Sequence, residues 1–201
     1  PATKDHAILL EGHGRESTLD LTRTVGWFTS LFPVRLPVSH LDADDPATPG
    51  RAIQAVKDQL RTLPSRGLAF GILQHLDPEQ PLAAALEAMP TLLFNYLGQV
   101  GERLASEDVW SLSNGELTTA REEPDRRRPS VLEINSGIDA AGQLRYSVSW
   151  NTLAHDAQQI SKLSQFFHDW LKTLVEHCKS PLAFARSPTD FTAFKATPIQ
   201  A

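Results

Sequence analysis

A chain of 201 residues is long enough to bury one sizeable core, and 41% hydrophobic with 21% charged residues is the make-up of an ordinary globular protein. The formal charge of -5, with a pI near 5.8, gives no general attraction to nucleic acid or to an anionic membrane surface. A single cysteine, Cys178, excludes an internal disulfide framework and fits a reducing cytoplasm, and no stretch reads as a membrane span or a signal peptide. Pro1 is not a natural initiator, so the sequence is expected to be a piece of something longer.

In chain order, the apolar run Ala7-Ile8-Leu9-Leu10-Glu11 predicts a buried strand, and Leu19 to Ser30 a crossing loop without a clean period. Phe32 to Val38 alternates at period two and carries Pro33 and Pro37, which suits an edge strand. After a loop at Asp42 to Pro46, Thr48-Pro49 predicts a helix start with Thr48 as the capping residue. Ile53, Val56, Leu60 and Leu63 give that helix its apolar face, and Pro64 stops it. Further helices are expected from Leu68 to Leu76 and from Pro81 to Met89, then a central strand from Pro90 to Leu97 and a long polar loop from Ser111 to Pro129. The alternating segments Val131 to Asn135 and Leu144 to Trp150, on either side of Asp139-Ala140-Ala141-Gly142, predict an antiparallel hairpin. From Asp156 to Cys178, the positions Ala157, Ile160, Leu163, Phe167, Trp170, Leu171, Leu174 and Cys178 repeat at helical spacing. They predict a long amphipathic helix over the sheet, with Cys178 buried on its core face. Residues after Pro181 read as a loosely ordered tail or linker, which sets the expected division at 1–180 and 181–201. The fold class is α/β, a mixed sheet with helices packed on one face.

Three clusters bear on chemistry. Glu11-Gly12-His13-Gly14-Arg15-Glu16 follows a buried strand directly, and a poorly solvated carboxylate there has its pKa raised toward the range useful for proton transfer. The plain alternative is a strand-to-loop turn whose charges pair in water, and spacing alone does not separate the two. Phe94-Asn95-Tyr96 places an amide inside an apolar strand, where it must find partners, and turns Asn95 and Tyr96 to opposite faces. Trp27-Phe28 with Thr29-Ser30 either lines a channel for an elongated uncharged ligand or plugs the crossing loop onto the core. The seven histidines are scattered without metal-ligand spacing, and neither a phosphate-binding Gly-Lys-Ser/Thr loop nor a Gly-x-Ser-x-Gly elbow occurs.

Taken in order, Glu11-Gly12-His13-Gly14-Arg15-Glu16, Arg23-Thr24-Val25-Gly26-Trp27-Phe28-Thr29-Ser30-Leu31-Phe32-Pro33-Val34, Pro64-Ser65-Arg66-Gly67-Leu68-Ala69-Phe70-Gly71 and Phe94-Asn95-Tyr96-Leu97-Gly98-Gln99 resemble the epimerization domains of nonribosomal peptide synthetases, as does the closing His177-Cys178. The third motif departs from the family's Gly-x-Gly-Tyr-Gly, with Ala69 and Phe70 in place of Gly and Tyr.

The resemblance implies a chloramphenicol-acetyltransferase-like fold of two lobes about a V-shaped cleft. The N-terminal lobe would carry a His-His-x-x-x-Asp-Gly motif, which this sequence lacks, so the chain is expected to be the C-terminal lobe and inactive alone. It further implies inversion at Cα of an aminoacyl or peptidyl thioester, held on the phosphopantetheine arm of a peptidyl carrier protein, with no cofactor bound directly. Glu11 matches the family's acid/base carboxylate, and Tyr96 a tyrosine near the reaction centre that orients substrate or stabilises the enolate. His13, Trp27, Phe28, Ser30 and Asn95 are expected around the substrate, and Arg15 with Glu16 in a structural ion pair. The partners implied are the carrier protein and the other lobe, with neither nucleic acid nor membrane. A condensation-type acyltransferase lobe and a non-catalytic carrier-docking module stay open as alternatives.

Overall fold

Among the described residues, two apolar runs and three alternating segments form one mixed sheet. The computed structural model describes residues 6–15, 20–76, 90–99, 130–139, 141–184, 186–187 and 189–192. The helix expected at 81–89 and the loop at 111–129 lie outside the described residues. Strands β1 (His6–Gly12), β2 (Ser30–Leu36), β3 (Leu92–Gln99), β4 (Leu132–Ile138) and β5 (Leu144–Trp150) are arranged in the order β2-β1-β3-β4-β5. Strands β1, β3 and β4 run parallel; β2 and β5 are antiparallel to their neighbours. The strand expected over Phe32 to Val38 starts and ends two residues earlier, so Pro37 falls outside it, and Pro33 is tolerated because β2 lies at the sheet edge. The β4–β5 hairpin turns on Asp139, whose carboxylate accepts from the backbone N–H groups of Ala141 and Gln143.

The register fixes two faces with different chemistry. Phe32, Leu10, Phe94, Ile134 and Val148 line up across the five strands on one face. The described helices sit there: Gly67 lies directly against the Phe32 ring, and Tyr146 meets Phe167 edge-on at 5.0 Å between centroids. The opposite face carries Leu31, Glu11, Asn95, Asn135 and Ser147 in the equivalent row, because Glu11 and Asn95 each follow by one residue the pair Leu10 and Phe94. Leu9 and Leu93, one row back on that face, are buried.

Helix α1 (Thr48–Arg61) begins where Thr48-Pro49 predicts, but Thr48 is its first turn and not its cap. The Thr48 hydroxyl donates to the carbonyl of Asp42 instead, which ties the buried helix start to the preceding loop. Helix α2 (Leu68–Leu76) has the predicted bounds and contacts β2, as α1 does. Helix α3 (Ala157–Lys179) opens on a capping box: Asp156 accepts from the N–H of Gln159 at 2.8 Å, and the Gln159 side chain accepts from the N–H of Asp156 at 3.1 Å.

Cys178 is exposed, not buried on the core face. The less exposed positions of α3 are Ile160, Ser164, Phe167, Leu171, Leu174 and His177, a stripe narrower than the apolar repeat of the sequence. Cys178 falls one residue, about 100° of helix, beyond it. His177 is the residue that packs inward, its ring so close to Gly50 of α1 that a Cβ there would come within 2.8 Å.

The segment beyond Pro181 contains a short 3-10 turn (Pro181–Phe184) and helix α4 (Thr189–Thr192), tied to α1 by charge. Asp190 accepts from Lys57 at 2.7 Å and from Arg61 at 2.6 Å, and Ser187 Oγ donates to Asp58 at 2.6 Å. The Lys57 hydrogen bond, then the backbone N–H of Ser187 and then the Arg61 guanidinium, hold the Asp190 carboxyl well below the usual carboxylate range. A depressed carboxyl contributes stability above its unfolded pKa and loses it as pH falls through the folded value. Asp190→Asn is therefore expected to free residues 186–192 from α1, read as faster amide hydrogen exchange there. Wild-type protein should show the same release only on strong acidification. Unchanged protection in the variant would remove Asp190 from this role.

Candidate active site

The three parallel strands end at one edge of the sheet, β1 at Glu11-Gly12, β3 at Gly98-Gln99 and β4 at Ile138. Ligands of mixed α/β sheets bind outside such carboxyl ends. Glu11 is half-buried there, and its carboxyl is raised above the ordinary glutamate value, first by desolvation and then by the negative charge of Glu133. Glu133 is fixed in turn by the Asn135 amide, which donates to its Oε1 at 2.6 Å. Asn95 stands between Glu11 and Asn135 in the row, each strand about 4.8 Å from the next. Its carbonyl accepts from Ser136 Oγ at 3.2 Å.

The residues after Glu11 shape the mouth of the site. Gly14 has φ +64 and lies so close to the crossing loop that a Cβ would fall 1.5 Å from the carbonyl oxygen of Phe28. Arg15 completes the hold: its guanidinium donates to the carbonyls of Leu21 and Thr24, the latter at 2.9 Å, and stacks 4.2 Å above the Phe28 ring. The backbone N–H of Arg15 donates to His13 Nδ1 at 3.1 Å. His13 and Ser30 line a cavity of about 280 Å³ with Gly12, Leu60, Leu63 and Arg66. The turn that supplies Arg66 is unusual: Ser65 and Arg66 are both left-handed at φ 47 and 50, and Gly67 follows at φ 90. Only a glycine at 67 leaves room for Phe32. Ala69 and Phe70, the departures from the family pattern, lie inside α2, where no left-handed backbone is needed.

The register puts Glu11 and Asn95 on one face of the sheet, whereas Ser30, in phase with Phe32, and His13 line the cavity beside α1 at the end of β1. Tyr96 is 53% exposed and, by strand alternation, on the face opposite Glu11 and Asn95. Phe28 is half-buried under Arg15 and borders a cavity of about 550 Å³ with Ser30 and α2. Trp27 is 91% exposed, so it neither plugs the core nor packs under the loop. Glu16 lies outside the described residues. Glu133 and Asn135 are additions that reading segment by segment passes over. The alternation Leu132-Glu133-Ile134-Asn135 marks both as facing one way, but only the register of β3 on β4 puts that way toward Glu11.

The chain belongs to the condensation domain family, which it matches over residues 2–195. It is similar to bacitracin synthase 3 of Bacillus licheniformis, at 35% identity over 192 residues. Bacitracin synthase 2 of the same organism is 34% identical over 188 residues, and surfactin synthase subunit 1 of Bacillus subtilis (strain 168) 32% over 189. Each match covers 92% of this chain but only 3%, 7% and 5% of the respective relative, so the chain spans a small fraction of their length. Among solved structures, the epimerization domain from the third module of tyrocidine synthetase B superposes with a TM-score of 0.67 at 34% identity. That match covers 88% of this chain and 38% of the tyrocidine domain.

Proposed function

We propose that this chain forms one wall of an epimerase active site acting on an aminoacyl or peptidyl thioester carried by the phosphopantetheine arm of a peptidyl carrier protein. The observation that carries the reading is Glu11, a half-buried carboxyl raised by its surroundings, at the carboxyl edge of the parallel strands. The likeness to a solved epimerization domain supports it. A thioester acidifies its α-proton. A base on one face takes that proton and the C–H electron pair passes into the thioester carbonyl as an enolate. An acid on the opposite face then returns a proton to Cα. Glu11 is one of these two groups, and the other belongs to the part of the domain that precedes this chain. Asn95, which shares the sheet face of Glu11, is assigned to orient the thioester.

The test is the product made by the longer protein that contains this chain and the preceding half. Supplied with an L-phenylalanyl carrier-protein thioester, it is expected to yield a mixture of L and D thioesters. Given an aminoacyl acceptor as well, it should form no amide. Amide formation without inversion would assign the condensation reaction instead, and carrier binding with neither product would make the chain a docking module.

A further inference from the structure

We infer that Glu133 and Asn135 form a supporting pair for Glu11: the Glu133 carboxylate, fixed by the Asn135 amide, shares the sheet face of Glu11 and governs when Glu11 carries a proton. The inference rests on the reading of Glu11 as a proton-transfer group and deepens it by naming positioning residues on a different strand.

The geometry comes from three strands held in parallel register. Glu133 is level with Leu93 and Leu9, one row behind Glu11 on the same face. Among the described residues, the register sets Leu93, which is buried, and Asn95, which carries no charge, between the two positions. Asn135 Nδ2 donates to Glu133 Oε1 at 2.6 Å, so the side chain is not free to swing out into solvent and dilute its charge. Other ionisable groups stand on the elements around Glu11: His13 and Arg15 beyond the end of β1, Arg35 on β2, Tyr96 on β3 and Arg66 in the turn before α2. Arg15 is turned to the crossing-loop carbonyls, and Tyr96 points through the opposite face. Among the described residues, Glu133 is the charge that acts on the Glu11 carboxyl, and it adds to desolvation in the same direction.

Two like charges sharing a poorly hydrated face disfavour joint ionisation. With Glu133 charged, Glu11 keeps its proton to higher pH. Removing that charge lets Glu11 ionise sooner. The sign does not depend on which half of the reaction Glu11 performs. A rising limb that reports Glu11 as base and a falling limb that reports it as acid both move to lower pH.

The test compares wild type, Glu133→Gln and Asn135→Leu in the longer protein, with two measurements on each. The first is the carboxyl carbon titration of Glu11 by NMR, assigned by its loss in Glu11→Gln. The second is the pH profile of solvent deuterium uptake at Cα of an L-phenylalanyl carrier-protein thioester. In Glu133→Gln both curves are expected to move to lower pH; at the wild-type midpoint the rate rises by less than about twofold where Glu11 is the base and falls by about two- to threefold where it is the acid. Asn135→Leu, which frees Glu133, should move them in the same direction by less. An unmoved Glu11 titration in Glu133→Gln overturns the inference whatever the protein catalyses. A moved titration with an unmoved rate profile instead overturns the reading of Glu11 as the reacting group.

Discussion

Glu11→Gln, in the longer protein that holds both halves of the domain, is expected to lower Cα-proton exchange on a carrier-bound aminoacyl thioester by about 10²–10⁴-fold. The size follows from what the substitution removes. Glutamine keeps the shape of the side chain and its hydrogen-bonding reach but has no proton to exchange in this range. The fold should not suffer, because Glu11 ionises reluctantly where it stands: burial and Glu133 both oppose its charge. Replacing it with a neutral amide relieves that conflict, so the thermal midpoint should be unchanged or slightly higher. Deuterium uptake at Cα, followed by mass spectrometry, measures the reaction, and a melting curve on the same sample measures the fold. Exchange near the wild-type rate in the glutamine variant would remove Glu11 from the mechanism.

The second large effect belongs to Gly14. An alanine there must adopt the left-handed backbone of φ +64, at a cost of roughly 1–2 kcal/mol. It must also push its Cβ through the carbonyl oxygen of Phe28, which is backbone and has no rotamer to escape into. The only relief is for the crossing loop to move, and movement breaks the Arg15 hydrogen bonds to Leu21 and Thr24 and unstacks Phe28. Gly14→Ala is thus expected to cost about 2–4 kcal/mol, seen as a fall in Tm of about 4–16 °C and as rapid hydrogen exchange across residues 21–28. Gly71 is the matched control. It lies within α2 with nothing within 4 Å of the position its Cβ would take, so Gly71→Ala should raise stability by about 0.5–1 kcal/mol. Equal Tm values for the two variants would mean that the loop is not anchored at Gly14.

The strands are legible in the sequence because their signals are local. Leu9 sits in an apolar run and Val34 in an alternating one, both of which fold as strands, and Pro33 marks β2 as an edge although that strand ends at Leu36, before Pro37. The boundaries of α2 and the Asp156–Gln159 box at the head of α3 are local too. The apolar repeat misplaces Cys178 because α3 carries apolar residues well beyond the stripe it buries, leaving Leu163, Phe166 and Trp170 partly exposed. The site divides along the same line. Glu11 and the glycines beside it stand at a strand end that the sequence marks, whereas Glu133 joins them only through the alignment of β4 on β3 and β3 on β1, from segments more than a hundred residues apart. That Asn95 and Tyr96 point oppositely is local, but which of them shares a face with Glu11 is again a matter of register.

The ties between α1 and the segment around Asp190 have a kinetic consequence. Asp58 with Ser187 and Lys57 with Asp190 join positions 129 and 133 residues apart, long loops for a chain of this size to close. Such contacts carry the full entropy of loop closure and have no neighbours to share it until the sheet exists. They are therefore expected to form after the rate-limiting step of folding, and their removal should speed unfolding while leaving the folding rate nearly untouched. The C-terminal segment acts as a latch fastened last, setting how long the finished sheet stays shut rather than how fast it assembles.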